Sequence, residues 1–281
     1  MRQPQNNPVA RAAWFIEAHL PEDLSLDDVA EAAGVSRFHL SRAFGWATGW
    51  SVMRYVRARR LTEAARTLAG GATNILNVAL DAGYGSHEAF TRAFRDQFGV
   101  TPETVRACFR LKDLQLMEPI TMSSEPTTTI GEPRIEQGAA MRIAGLQEHF
   151  GFEELGGLPA LWQRVRPMLG HIEGQVGTVA YGVCFNTSET GFDYIAGVQV
   201  AAGTSIAADL ASLLVAPQLY AVFTHTGHVS SVRGTFMAIF NDWLPRSGYR
   251  SADAPVFERY DQRFDPRTGL GGFEIWIPIK P

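Results

Sequence analysis

Two arginines fifty residues apart stand in the same local setting. Arg42-Ala43-Phe44 recurs as Arg92-Ala93-Phe94. A guanidinium can donate two parallel hydrogen bonds to the O6 and N7 atoms of guanine, or grip a phosphate. Other polar groups gather around each arginine: Arg37, Phe38 and Ser41 near the first, His87, Glu88 and Thr91 near the second. A threonine can meet a thymine methyl, and a glutamate can accept from cytosine N4. Phe38 suits either an apolar groove contact or a core. A lone arginine is as readily a solvated charge, but a repeated one points to a shared role. Arg42 and Arg92 are the first candidates for base or phosphate contacts.

The repeat extends beyond the arginines and shows what positions them. Ser36 answers Ser86, Leu40 answers Phe90, Ser41 answers Thr91 and Gly49 answers Gly99. Upstream, Leu26-x-x-Val29-Ala30-x-x-Ala33-Gly34 answers Ile75-x-x-Val78-Ala79-x-x-Ala82-Gly83 at an offset of 49. The offset grows by one because Gly83-Tyr84-Gly85-Ser86 is longer than Gly34-Val35-Ser36. The apolar spacing predicts a short helix ended by glycine, and each serine is a natural N-cap for the next helix. A short helix, a tight turn and a second helix make a helix-turn-helix, whose second helix is the one that enters a major groove. Between the two units, residues 51–69 read as a long helix studded with Arg54, Arg57, Arg59, Arg60 and Arg66.

Gly49, Tyr55-Val56-x-x-Arg59-Arg60-Leu61, Gly83-Tyr84 and Phe90-x-Arg92-x-Phe94-x-x-x-Phe98-Gly99-x-x-Pro102 together resemble the DNA-binding domain of AraC/XylS-type regulators over residues 8–110. The resemblance implies two helix-turn-helix units joined by a linker helix. Both recognition helices would enter successive major grooves about 34 Å apart. On that reading Arg37, Phe38, Ser41, Arg42, His87, Glu88, Thr91 and Arg92 face DNA. Trp46 stands where the family carries a basic residue, which removes a local phosphate contact. Arg37-Phe38 against His87-Glu88 implies two different half-sites and an asymmetric operator.

Charge divides the chain the same way. Residues 1–112 hold 14 Lys/Arg against 11 Asp/Glu, and residues 113–281 hold 11 against 18. A basic front and an acidic back suit a nucleic-acid-facing first domain. The expected domains are 1–112, a linker 113–133 rich in Ser, Thr and Pro, and 134–281.

The expected strands of the last region are Arg134–Glu148, Thr178–Asn186, Phe192–Ala201, Gln218–Thr226, Val256–Phe264 and Gly272–Ile279, with helices over Leu155–Leu169 and Val229–Leu244. Strand, helix, strand, strand occurs twice. This predicts an α+β module with an antiparallel sheet, helices on one side and a cleft between the halves. Glu258 and Tyr260 alternate onto one face of their strand, Glu274 and Trp276 onto one face of theirs.

The run Leu219 to Phe223, then Trp243-Leu244-Pro245-x-Ser247-Gly248-Tyr249, Phe257-Glu258-x-Tyr260 and Glu274-Ile275-x-Ile277-Pro278 resembles the GyrI-like effector-binding domain over residues 130–281. The resemblance implies a site for a small lipophilic or cationic molecule. Glu258 or Glu274 would be its acid, and Tyr260, Trp276, Tyr194 and Phe223 its walls. A carboxylate among rings suits an organic cation. A glutamate at a sheet edge, or rings that are ordinary core, would leave a vestigial sensor. A hydrolytic role, known for some such domains, would need one glutamate to act on water.

Reader before sensor is the order of Rob-type members, so the expected function is promoter binding modulated by a small ligand, with RNA polymerase as the protein partner. No enzyme is expected, and no cofactor or metal. His225-x-x-His228 has no acidic or thiol residue to complete a metal set, and no GxGxxG, GxSxG, HExxH or phosphate loop occurs. Cys108 and Cys184 read as reduced thiols of a cytoplasmic protein, with no 18-residue apolar run and no basic-then-apolar leader.

Overall fold

The computed structural model describes residues 7–108, 110–120, 128–152, 155–188 and 191–281. The expected linker falls partly on residues 121–127, which lie outside the described residues.

Among the described residues seven helices form the first part: α1 (Pro8–Ala18), α2 (Leu26–Ala33), α3 (Arg37–Thr48), α4 (Val52–Ala69), α5 (Ile75–Asp81), α6 (His87–Phe98) and α7 (Pro102–Cys108). Ser25 and Asp28 cap α2 reciprocally, and Gly34 ends it in the left-handed region at φ 70°. Ser36 and Ser86 cap α3 and α6 through the amides of His39 and Ala89. The two helix ends match through the glycine, Gly34 and Gly83 both having positive φ and Val35 and Tyr84 both bonding back to the helix, so the extra turn residue falls after them, before Ser86. Each unit has its own core. Val29, Leu40, Phe44 and Val56 pack in the first, while Leu68, Val78, Phe90 and Phe94 pack in the second. The helix α4 serves both.

Residues 111–120 run back along α4. The buried Arg59 donates to Glu17 on α1 at 2.8 and 2.9 Å and to the Met117 carbonyl at 2.8 Å, while the Ile120 amide donates to Tyr55 Oη.

The second part is β1 (Arg134–Gly138), β2 (Met141–Phe150), α8 (Leu158–Val165), β3 (Gln175–Phe185), β4 (Phe192–Val200), β5 (Ala211–Val215), β6 (Gln218–His225), α9 (Val232–Ala238), a π-helical stretch Ile239–Trp243 leading to α10 (Leu244–Arg246), β7 (Arg250–Ser251), β8 (Val256–Tyr260) and β9 (Phe273–Lys280). The order is β1-β6-β9-β8-β3-β4-β2-β5, with β7 on β9, and every pairing is antiparallel. The α+β expectation holds, with two changes. The expected first strand is two strands broken at Ala139-Ala140, and β5 lengthens the far edge. The halves are also not parted by an open cleft, because β3 and β8 pair from Ala180–Tyr260 to Cys184–Val256 and make one continuous sheet.

One face of this sheet is covered by helices. Leu161 and Val165 of α8 pack on Phe192, Tyr194 and Ala196, and Phe236, Ile239 and Phe240 pack with Phe223 and Ile275. The other face gathers Tyr181, Tyr220, Phe257 and Trp276 in a cluster to which no described helix contributes.

Removing the carboxylate under Arg59 should expose how far the first core depends on it. Glu17→Ala leaves a buried guanidinium short of its main partner, so urea unfolding should show a loss of about 3 kcal/mol. A change below about 0.5 kcal/mol would mean that Glu63 and the Met117 carbonyl suffice.

Candidate nucleic-acid and ligand sites

The two recognition helices are in different situations. On α6, Glu88 and Arg92 are exposed, His87 is half-buried against Glu103 of α7 (Nε2 to Oε1, 3.0 Å), and Thr91 is half-buried. On α3, Arg37 is exposed and Phe38 half-buried, but Ser41 and Arg42 are only 7% and 5% exposed. The sequence places all four at the surface. The structure corrects this for Ser41 and Arg42, because the second domain covers that side of α3.

Named contacts hold the two domains together. Arg42 Nη2 donates to the Ala254 carbonyl at 3.0 Å. Trp46 stacks on Phe236 with centroids 4.6 Å apart and planes 9° from parallel. Gly45 lies so close to the Phe152 ring that a Cβ would sit 2.2 Å from it. Arg233 donates to the carbonyls of Trp46 and Ala47 at the C-terminal end of α3. His39 Nε2 bonds the Phe240 carbonyl at 2.8 Å. That carbonyl is in the π-helical stretch, where Leu244 N–H bonds Ile239 O; the donor due to Phe240 in this register would come from Pro245, which has no N–H.

Sheet alternation decides the acidic sites. Arg259, between Glu258 and Tyr260 on β8, pairs with Glu274 of β9, while Glu258 pairs with Ile275. Glu258 and Glu274 therefore point to opposite faces. The six candidate ligand residues do not converge on one pocket.

Glu258 faces the helices. It accepts from Tyr194 Oη and Tyr260 Oη, both at 2.9 Å, and Trp162 Nε1 donates to Tyr194 Oη at 3.0 Å. Burial raises the Glu258 carboxyl against the opposing pull of the two phenols. Any Cβ on Gly182 would meet Tyr194 Oη at 1.8 Å, so glycine is required where the phenol crosses β3. This network is sealed under α8. Phe223 lies in the same row two strands away, edge-on to Trp243 at 5.0 Å.

Glu274 faces the helix-free side with Trp276, where both are buried at 6% and 8% exposed. Trp276 Nε1 donates to Glu274 Oε2 at 3.1 Å, and Arg134 of β1 donates to Oε1 at 3.0 Å. The Arg134 guanidinium also lies 5.7 Å from the Trp276 ring centre. Arg259 and Arg263 approach the same carboxylate at 3.4 and 3.6 Å, but both also pair with Asp261. Arg134 itself is half exposed on an edge strand that pairs only with β6. Sequence reading missed Arg134, Trp162 and Arg233, whose partners are remote in the chain.

Neither acid borders a described cavity. An open groove of about 370 Å³ lies at the domain seam beside Arg37, Phe38, Asp253 and Lys280. Among the described residues no group of three or more His, Cys, Asp or Glu could hold a metal ion, and no helix is long and apolar enough to cross a membrane. His225 is taken up by Thr235 (Nδ1 to Oγ1, 2.8 Å).

With this geometry in place, known proteins can be compared. Residues 131–280 match the model of the GyrI-like small molecule binding domain, and residues 29–107 match a helix-turn-helix domain. The chain belongs to the GyrI-like family, joined to an AraC-type helix-turn-helix domain. It is 27% identical over 289 aligned positions to the right origin-binding protein of Escherichia coli K12, covering 95% of this chain and 96% of that one. The multiple antibiotic resistance protein MarA of the same organism is 35% identical over 106 residues, covering 38% of this chain and 84% of MarA. Among solved structures, SAV2435 bound to tetraphenylphosphonium matches 53% of this chain and 94% of its own, at TM-score 0.46 and 20% identity. The GyrI-like, AraC-type chain is a DNA-binding transcription regulator with a small-molecule-binding domain.

The seam supplies a pH dependence. Burial pushes His39 down to about 4 from its usual 6.5, despite the Phe240 carbonyl that favours the charged ring and with Arg42 and Arg11 adding to the depression. The unfolded chain thus takes up a proton below about pH 6.5 that the folded chain refuses until about pH 4. Stability should fall across that window as pH drops, by at most about 3 kcal/mol. Parent and His39→Leu melts compared between pH 7 and 4 isolate the effect from carboxylate titration; parallel pH slopes would remove His39 as its source.

Proposed function

We propose that the regulator responds to a small lipophilic cation bound on the uncovered face of its GyrI-like sheet, at Glu274 and Trp276. The carrying observation is Arg134. Its guanidinium already rests beside an indole ring and a carboxylate, the two groups that recognise an organic cation. Tyr181, Tyr220 and Phe257 are buried rings of the same cluster. Arg134 takes its second carboxylate from Glu136 of its own strand at 2.8 Å rather than from Asp261, and it sits half exposed on the sheet edge. An incoming cation would take its place. Glu258, closed under α8 by two phenols, is a structural acid on this reading.

At the DNA end, α6 would read its half-site through His87, Glu88, Thr91 and Arg92, and α3 another through Arg37, Phe38, Ser41 and Arg42. RNA polymerase would be the protein that the bound regulator engages. A ligand changes output only by favouring one of two states of the chain.

Isothermal calorimetry with tetraphenylphosphonium should detect binding to the full chain. Glu274→Gln should weaken it at least about tenfold, and Arg134→Ala should tighten it by removing the internal competitor. No binding to either the parent or Arg134→Ala would exclude a cation site here, and unchanged binding by Glu274→Gln would exclude this acid. For the reader, Arg92→Ala should cost about 1–3 kcal/mol of affinity for a duplex selected from a random library by the full chain. Equal affinity would displace α6 from the proposed interface.

A further inference from the structure

The groove-facing side of α3 has one partner in this structure, and it is the second domain. Ser41, Arg42, Gly45 and Trp46 are all buried. We infer that the GyrI-like domain masks the first recognition helix, so that DNA and the second domain compete for the same side of α3.

The contact is well built in its apolar part and poor in its polar part. Trp46 on Phe236, Gly45 on Phe152 and His39 on the π-stretch carbonyl give it shape. Arg42 is the weak point. It is buried, yet only Nη2 has a partner; Nε and Nη1 have none among the described residues. The small cavity it lines, beside Phe152, Cys184 and Phe240, has room for at most one water. Burial drives its pKa down, with Cys184, Asp253 and Tyr220 opposing. A guanidinium that keeps its charge without a carboxylate is costly to bury. A major groove would supply the missing acceptors from guanine and phosphate. The masked state is therefore held by packing and loosened by one charge whose better partner is nucleic acid.

The seam also reaches the proposed ligand face, a step that rests on the reading above. Ala254 accepts from Arg42, and the next carbonyl, Pro255, accepts from Tyr220 Oη at 3.4 Å. Tyr220 is edge-on to Phe257 at 5.1 Å and to Trp276 at 5.6 Å. Residues 254–255 thus touch the masked arginine on one side and the aromatic surface on the other.

Hydrogen exchange of the full chain, with and without its selected operator duplex, tests the mask. Operator binding should deprotect residues 232–243, the reverse of ordinary binding, because α3 leaves them. Arg233→Glu, an exposed change that sets a carboxylate against the last carbonyls of α3, should bind the same operator about fivefold more tightly. Retained protection at 232–243, or equal affinity of Arg233→Glu and the parent, overturns the mask. Tetraphenylphosphonium is added in a separate arm and should also deprotect 232–243. Calorimetric binding without that change overturns the route through 254–255. No binding at all overturns the cation reading, and the operator arm still decides the mask.

Discussion

The arrangement turns on a single buried guanidinium. Arg42 lies on the side of α3 that a helix-turn-helix offers to DNA, and there it holds one backbone carbonyl from the other domain. A positive charge withdrawn from water needs either a carboxylate or a dense set of acceptors. The seam provides neither, so its attraction rests on rings and aliphatic carbons. Close packing without charge compensation makes a contact that is stable alone and that a polyanion can outbid. The core around α3 is shared with Phe236, Ile239 and Phe240, so the two domains are mechanically one until that contact opens.

The second domain depends on the two-residue period of its strands. Because Glu258 and Glu274 fall on opposite faces, one carboxylate lies toward α8 and the other on the face to which no described helix contributes, and both are buried. Under α8, two phenols donate to Glu258 and an indole donates to one of them, which satisfies an acid that burial would otherwise neutralise. On the other face, Glu274 of the interior strand β9 meets a tryptophan and Arg134, which reaches it from the edge strand β1. An indole ring and a carboxylate, groups that suit a cation, here hold the protein's own Arg134.

Much of the scaffold was legible from the chain. The serine caps, the glycines after α2, α3, α5 and α6, and the paired apolar spacings specify two similar units through local interactions alone. The strands around Glu258 and Glu274 were equally plain, because β-branched and aromatic residues alternate there. What stayed hidden was set by partners remote in sequence. Ser41 and Arg42 have the residue types of a surface, and only contact with residues about 200 positions later buries them. The register between β8 and β9, which separates the two acids, depends on how strands pair and not on either strand's own pattern. Residues 211–215 and the break at 139–140 carry no strong turn or strand signal.

Trp46 changes meaning once α3 is seen in place. From sequence it is the loss of a phosphate contact; in the fold it is an aromatic plate lying flat on Phe236. Gly45 beside it has no side chain to offer a phosphate, and that bareness admits the Phe152 ring, which any Cβ would expel. Two positions that weaken this helix toward DNA are thus the two that fit it to the second domain. The other helix carries Arg95-Asp96 at the corresponding register, and both are exposed. The repeat gives the chain two helix-turn-helix units of one design, and among the described residues the pair Gly45-Trp46 fits the first of them to the second domain.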